Sequence, residues 1–170
     1  MRQIRPGDAP ALFAVFSDAE VMRYTDTLPL RTPAEAEAIV QQIDAWYTAG
    51  AGIRWAMTLK GNDIFLGSCG FHHFDATSRR AEVGYELGRA HWRQGITSEA
   101  VAALLDFGFH RLDLHRIEAV VNGDNEPSKS LLRKLGFRYE GCLRQRFWFN
   151  GEYRDEHYFG LLREEYVRTR

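Results

Sequence analysis

The chain has 170 residues, enough for one domain that buries a continuous core. Hydrophobic residues make up 45% and charged residues 26%, which argues against long disorder, and a formal net charge of −1 supplies no global field toward nucleic acid, membrane or polyamine. The cysteines are Cys69 and Cys142; they form no disulfide framework, no Cys/His spacing of a zinc site accompanies them, and small apolar filling is their expected role.

The first residues lack the apolar stretch of a signal peptide, and no run approaches membrane-spanning length, so a cytoplasmic protein without a membrane partner is expected. Pro6-Gly7-Asp8 punctuates a very short opening strand and begins an apolar helix through Leu12, Phe13, Val15 and Phe16. A second helix carries its own start chemistry: Thr32 at the N-cap, Pro33 at the first helical position and Glu35 three residues after Thr32. Its apolar face runs through Ala36, Ile39, Val40 and Ile43 to Trp46 and Tyr47, and Gly50 and Gly52 end it.

Residues 53–59 and 65–74 read as strands around a Gly61-Asn62-Asp63 turn. A third strand, 81–87, puts Val83, Tyr85 and Leu87 on one face and Glu82, Gly84 and Glu86 on the other. Ala100, Val101, Leu104, Leu105 and Phe109 predict a helix over about 97–112. Residues 116–121 alternate as a strand, and 126–135 form a short helix stopped by Gly136. Two last strands, 137–149 and 153–161, flank the hairpin signal Asn150-Gly151. A strand–helix–strand crossover within a mostly antiparallel run predicts a mixed α+β sheet, not a doubly wound parallel one. No repeat or linker divides the chain, so residues 1–170 are expected to form a single domain.

The most informative stretch joins the third strand to the next helix: Trp92-Arg93-Gln94-Gly95-Ile96-Thr97. A tight turn at a helix start leaves backbone N–H groups aimed outward at the positive end of the dipole, which suits a pyrophosphate. Gly95 fits because a side chain there would block the phosphates. Thr97 or Ser98 is the expected cap, and Glu99 suits the first turn. One glycine before a helix is equally a plain turn. The spacing is neither a dinucleotide-binding G-x-G-x-x-G nor a Walker loop.

The run Ala81-Glu-Val-Gly-Tyr-Glu-Leu87 followed by His91-Trp92-Arg93-Gln94-Gly95-Ile96-Thr97-Ser98-Glu99-Ala100 resembles the core of the GNAT acetyltransferases, and within them the RimJ/RimL branch that acetylates protein N-termini. Asn125-Glu-Pro-Ser128, Leu135-Gly136-Phe137, Asn150-Gly151-Glu152-Tyr153-Arg154-Asp155 and the opening Asp18-Ala-Glu-Val-Met-Arg-Tyr24 extend the resemblance over almost the whole chain. Trp92 and Thr97 depart from the usual ends of the acyl-CoA signature. The resemblance implies a twisted, mostly antiparallel sheet of about seven strands flanked by about four helices, with a splayed parallel pair in the middle. It implies acetyl-CoA as cofactor, with its pyrophosphate on the amides of Arg93, Gln94, Gly95, Ile96 and Thr97. The pantetheine arm would follow the free edge of the strand holding Tyr85 and Leu87, and Asn125 would reach toward the cofactor.

Transfer to an amine needs a neutral nucleophile and a proton for the departing thiolate. Glu82 matches the family's strand carboxylate, a general base; a solvated carboxylate on an exposed strand face is the competing reading, and the favoured one for Glu86. The tyrosine that many N-terminal acetyltransferases place seven residues after the asparagine is absent, Leu132 standing there. Ser128 is then the candidate acid, and equally a capping hydroxyl. The six histidines are scattered; His72 and His73, adjacent on a strand, should point to opposite faces, so that at most one faces a cleft. The expected enzyme acetylates a protein N-terminal α-amine by direct attack. A small amine (a polyamine, an amino acid or an aminoglycoside), a non-catalytic CoA-sensing domain and a nucleotide-binding domain are the alternatives. No metal or nucleic acid is expected, and edge strands near the C-terminus are where a homodimer would form.

Overall fold

The computed structural model describes residues 1–123 and 125–166. In chain order its elements are β1 (Arg2–Gln3), α1 (Ala9–Phe16), α2 (Ala19–Met22), α3 (Pro33–Thr48), β2 (Ile53–Leu59), β3 (Asn62–Asp75), β4 (Arg80–Leu87), α4 (Ile96–His110), β5 (Arg116–Asn122), α5 (Glu126–Lys134), β6 (Arg138–Phe149) and β7 (Glu152–Leu162). The strands form one seven-stranded sheet in the order β1-β2-β3-β4-β5-β7-β6. Only β4 and β5 run parallel; every other neighbouring pair is antiparallel. Mixed α+β architecture and the central parallel pair are thus as expected. The described residues hold five helices rather than about four, the extra one being α2. That single turn exists because the Asp18 carboxylate accepts the Glu20 amide at 3.0 Å and caps it.

Local chemistry explains the other boundaries. Pro33 opens α3, and the Glu35 carboxylate accepts the backbone N–H groups of Thr32 at 2.9 Å and Arg31 at 2.6 Å. Asn150 and Gly151 both sit at positive φ, 49° and 87°, as a two-residue hairpin matched to the strand twist requires.

Hydrophobic layers cover both faces of the sheet. On one, α1, α2 and α3 bury Leu12, Phe16, Met22, Val40 and Ile43 against Ala56 and Phe65. On the other, α4 and α5 bury Val101, Leu104, Leu105, Phe109 and Leu132 against Phe71, Ala81, Val83, Ile117 and Phe159. Truncating a fully buried phenylalanine such as Phe71, Phe109 or Phe159 costs about 3–5 kcal/mol. The N-terminus is tied in by a fork: Arg2 donates from Nη1 and Nη2 to the two oxygens of the buried Asp8 at 2.7 and 2.8 Å. The Arg5 amide also donates to Asp8, at 2.8 Å. Its contacts with Arg2 foremost, then the Arg5 amide, hold the Asp8 carboxyl below its ordinary range against the opposing effect of burial.

Candidate active site

β4 and β5 pair over three rungs, Arg80 with Arg116, Ala81 with Ile117 and Glu82 with Glu118, and the ladder stops there. β3 continues along β4 to Leu87, and β7 continues along β5 to Asn122. Each half of the sheet therefore stays intact while its two central strands part beyond Glu82. The result is a cleft between residues 83–87 and 119–122, with strand edges that no neighbouring strand satisfies.

The start of α5 lies across this cleft. Asn125 caps it, its Oδ1 accepting the Ser128 amide at 3.1 Å. From there Ser128 Oγ meets Tyr85 Oη at 2.8 Å, so a β4 side chain and an α5 side chain close the gap from either side. Burial pushes the Tyr85 phenol up to about 12, opposed by its bond to Ser128, so it remains a proton donor through neutral and mildly basic pH.

At the far end of β4 the chain turns sharply. The Gly88 amide donates to Leu66 O at 2.8 Å, and the Trp92 indole N–H donates to Leu87 O at 2.7 Å. That explains why a tryptophan fits the first position of the signature: it clamps the turn onto the end of its own strand. Arg93 and Gly95 both adopt positive φ, 59° and 83°. The helix begins at Ile96 with Gly95 as cap, not Thr97 or Ser98, and no side chain accepts a capping hydrogen bond there. Backbone conformation decides this: the chain is already helical at Ile96, so the hydroxyls of Thr97 and Ser98 lie inside the first turn. A Cβ added to Gly95 would meet no protein atom within 4 Å. Positive φ therefore favours glycine here, and the space above it is open. Gln94 folds its side chain back to Ala90 O at 3.0 Å, which leaves its backbone as its contribution to the turn.

The face of β4 opposite the α4 core carries Glu82, Gly84 and Glu86. Glu86 is not a solvated carboxylate, because Arg54 ion-pairs with it from β2 and the Ser68 hydroxyl donates to it at 3.2 Å. Glu118 is held by Arg80 and Arg116, each at 2.7 Å. Glu82, by contrast, faces imidazoles: His73 Nδ1 lies 3.1 Å from Oε1 and His72 Nε2 lies 3.7 Å from Oε2. The two histidines do not point to opposite faces. The register slips between His72 and Asp75, placing two β3 residues opposite Ala81, and His73 takes φ 49°. That β-bulge swings His73 back to its neighbour's side. Next to this face Tyr158 donates to Glu156 at 2.9 Å, and Arg154 of β7 reaches Arg23 O at 3.4 Å. Arg54, Ser68 and Tyr158 carry no local signal in the sequence, because strand register alone brings them to this face.

An uncapped helix start beside an open strand edge is an arrangement able to seat a phosphate-bearing ligand in extended form. A family model described as the acetyltransferase (GNAT) domain matches residues 1–138, and the chain belongs to that family. It is 40% identical to an uncharacterized N-acetyltransferase of Bacillus licheniformis, over 98% of this chain and 94% of the relative. It superposes on Mycobacterium smegmatis RimJ in complex with CoA-disulfide at a TM-score of 0.87, with 26% identity, covering 96% of this chain and 81% of RimJ. Over 52% of this chain and 48% of the relative it is 32% identical to spermidine N(1)-acetyltransferase of Escherichia coli. The protein is therefore an acyltransferase that uses acetyl-CoA to acetylate an amine.

Proposed function

We propose that this enzyme is a RimJ/RimL-like, cytoplasmic N-acetyltransferase whose acceptor is the α-amine of a protein or peptide N-terminus. The supporting observation is the likeness to RimJ, which superposes on 96% of this chain at a TM-score of 0.87, beside a net charge of −1 that supplies no acidic funnel for a polyamine.

In this reading the amides of Arg93, Gln94, Gly95, Ile96 and Thr97 hold the pyrophosphate, with Gly95 leaving the space for it. The β4 edge at Tyr85 and Leu87, together with Asn125, orients the arm in the cleft. Acetyl-CoA supplies the activated acyl group. Glu82 stands at the last rung of the parallel pair, where the cleft opens, and takes the proton from the incoming ammonium. Ser128 returns a proton to the sulfur that leaves, with the Tyr85 phenol behind it at 2.8 Å as the next donor. Attack is direct, and no residue forms a covalent acyl-enzyme.

The test is thiol release from acetyl-CoA with three acceptors: a peptide with a free N-terminus, the same peptide Nα-blocked, and spermine. The proposal expects free CoA with the first alone. Turnover of spermine or of the blocked peptide, with none of the free peptide, overturns it.

A further inference from the structure

We propose that His72, His73 and Glu82 form a binding site for a divalent transition-metal ion of the zinc type on the acceptor side of the cleft. One ligand atom from each of the three residues lies within 4.8 Å of the others. In a tetrahedral ion with bonds of about 2.0–2.1 Å, neighbouring ligand atoms stand about 3.4 Å apart. The separations of 3.1 Å between His73 Nδ1 and Glu82 Oε1 and 3.7 Å between His72 Nε2 and Glu82 Oε2 bracket that spacing. Each imidazole thus stands at ligand spacing from one oxygen of the Glu82 carboxylate, and rotation of that carboxylate and of His73, 70% exposed, can bring one oxygen to both rings.

Three features favour a cation here. Of the carboxylates on this part of the face, Glu86 is held by Arg54 and Glu118 by Arg80 and Arg116, whereas Glu82 is faced by imidazoles. Two imidazole nitrogens and one carboxylate select zinc, cobalt, nickel or copper over magnesium and calcium. The backbone also keeps the site clear. A Cβ at Gly84 would stand 3.1 Å from His72 Cε1 and crowd the ring, and the bulge that turns His73 inward lies on the adjacent strand. Three protein ligands leave the fourth position for water or for a group of the acceptor.

Occupation draws the Glu82 carboxylate into coordination and so slows acetyl transfer. This consequence, unlike the binding, rests on Glu82 as the base proposed above. The experiment titrates Zn2+ and Co2+ into the full chain by calorimetry and visible absorption, then repeats the titrations on His73→Ala and His72→Gln. Circular dichroism melts check that both variants fold. Expected are one ion per chain, a tetrahedral Co2+ spectrum, and weakening by at least about tenfold in each variant, the loss seen for mere outer-sphere partners of a metal. His73→Ala should lose inhibition by Zn2+, read as the ratio of its own turnover with and without the ion. No stoichiometric binding, which would make the cluster an ion pair only, overturns the site, as does binding unchanged in both variants. Binding that both variants weaken, with turnover indifferent to Zn2+, keeps the site and instead overturns Glu82 as the base.

Discussion

The two ends of the cleft are built from different material. At the α4 end the proposed working groups are backbone: two residues at positive φ, an uncapped helix start and open space over Gly95. At the Glu82 end they are side chains, brought from β3, β4, β5 and α5 by strand register, a bulge and a helix cap. A site made of amides depends on conformation and tolerates changes of side chain. This accounts for Trp92 and Thr97 in places where the family usually has other residues. A site made of side chains depends on identity and on neighbours, and single substitutions should act there selectively.

The largest effect expected on that contrast is at Glu82. Glu82→Gln should lower kcat by about a hundredfold near neutral pH, the usual worth of a positioned base, with CoA affinity unchanged. An α-amine titrates near pH 8, so the deficit should shrink at about pH 9, where the acceptor deprotonates unaided. A side-chain amine, with its pKa near 10.4, would keep the deficit at that pH, so the profile also sharpens the choice of acceptor. Loss of CoA affinity in this variant would break the separation of the two ends.

A control lies outside the cleft. Asp8→Asn should cost about 2 kcal/mol of stability, the scale of hydrogen bonds to a charged group, while sparing both ends. Because Arg2 lowers the Asp8 pKa in the fold from 3.8, the carboxylate stabilises above that value, and this stability is lost as pH falls through the folded pKa. Denaturant melts from pH 6 down to 2 should show that loss in the wild type and a shallower one in the variant.

Ser128→Ala should slow turnover by about tenfold, and Tyr85→Phe by less, with the double variant no worse than the serine change alone, as for groups acting in one chain of donors. With the Tyr85 phenol near 12, wild-type kcat should show no alkaline fall from this group up to about pH 10.5. Additive losses would separate the two hydroxyls. The smallest effect is at Thr97→Ala, where CoA affinity should change by less than about threefold, since the backbone rather than the hydroxyl binds. A larger loss would mean that the side chain takes part.

What the sequence disclosed follows the same division. Thr32-Pro33-Glu35, Asn150-Gly151 and the Gly95 turn are local signals, in which a few adjacent residues determine the backbone, and their elements formed as expected save that the cap of α4 is Gly95 rather than Thr97 or Ser98. The divergence of β4 from β5 was available through family resemblance alone, because no property of residues 83–87 taken singly forbids another rung. His72 and His73 were misassigned because strand alternation assumes an unbroken ladder, and a bulge depends on the partner strand. Glu86 was read as solvated because Arg54, 32 residues away, meets it only across the sheet. The single turn α2 was too short for any periodic signal.

The central claim, that the backbone at Gly95 seats the pyrophosphate, is tested most directly by calorimetric titration of CoA into Gly95→Asn and Gly95→Asp. Asparagine tolerates positive φ, and no protein atom lies within 4 Å of the new Cβ, so both chains should fold. The account predicts CoA affinity weaker by at least about tenfold for asparagine, which fills the phosphate's space, and about a hundredfold for aspartate, which adds like charge, at about 1.4 kcal/mol per tenfold. Affinity unchanged in both folded variants would contradict it.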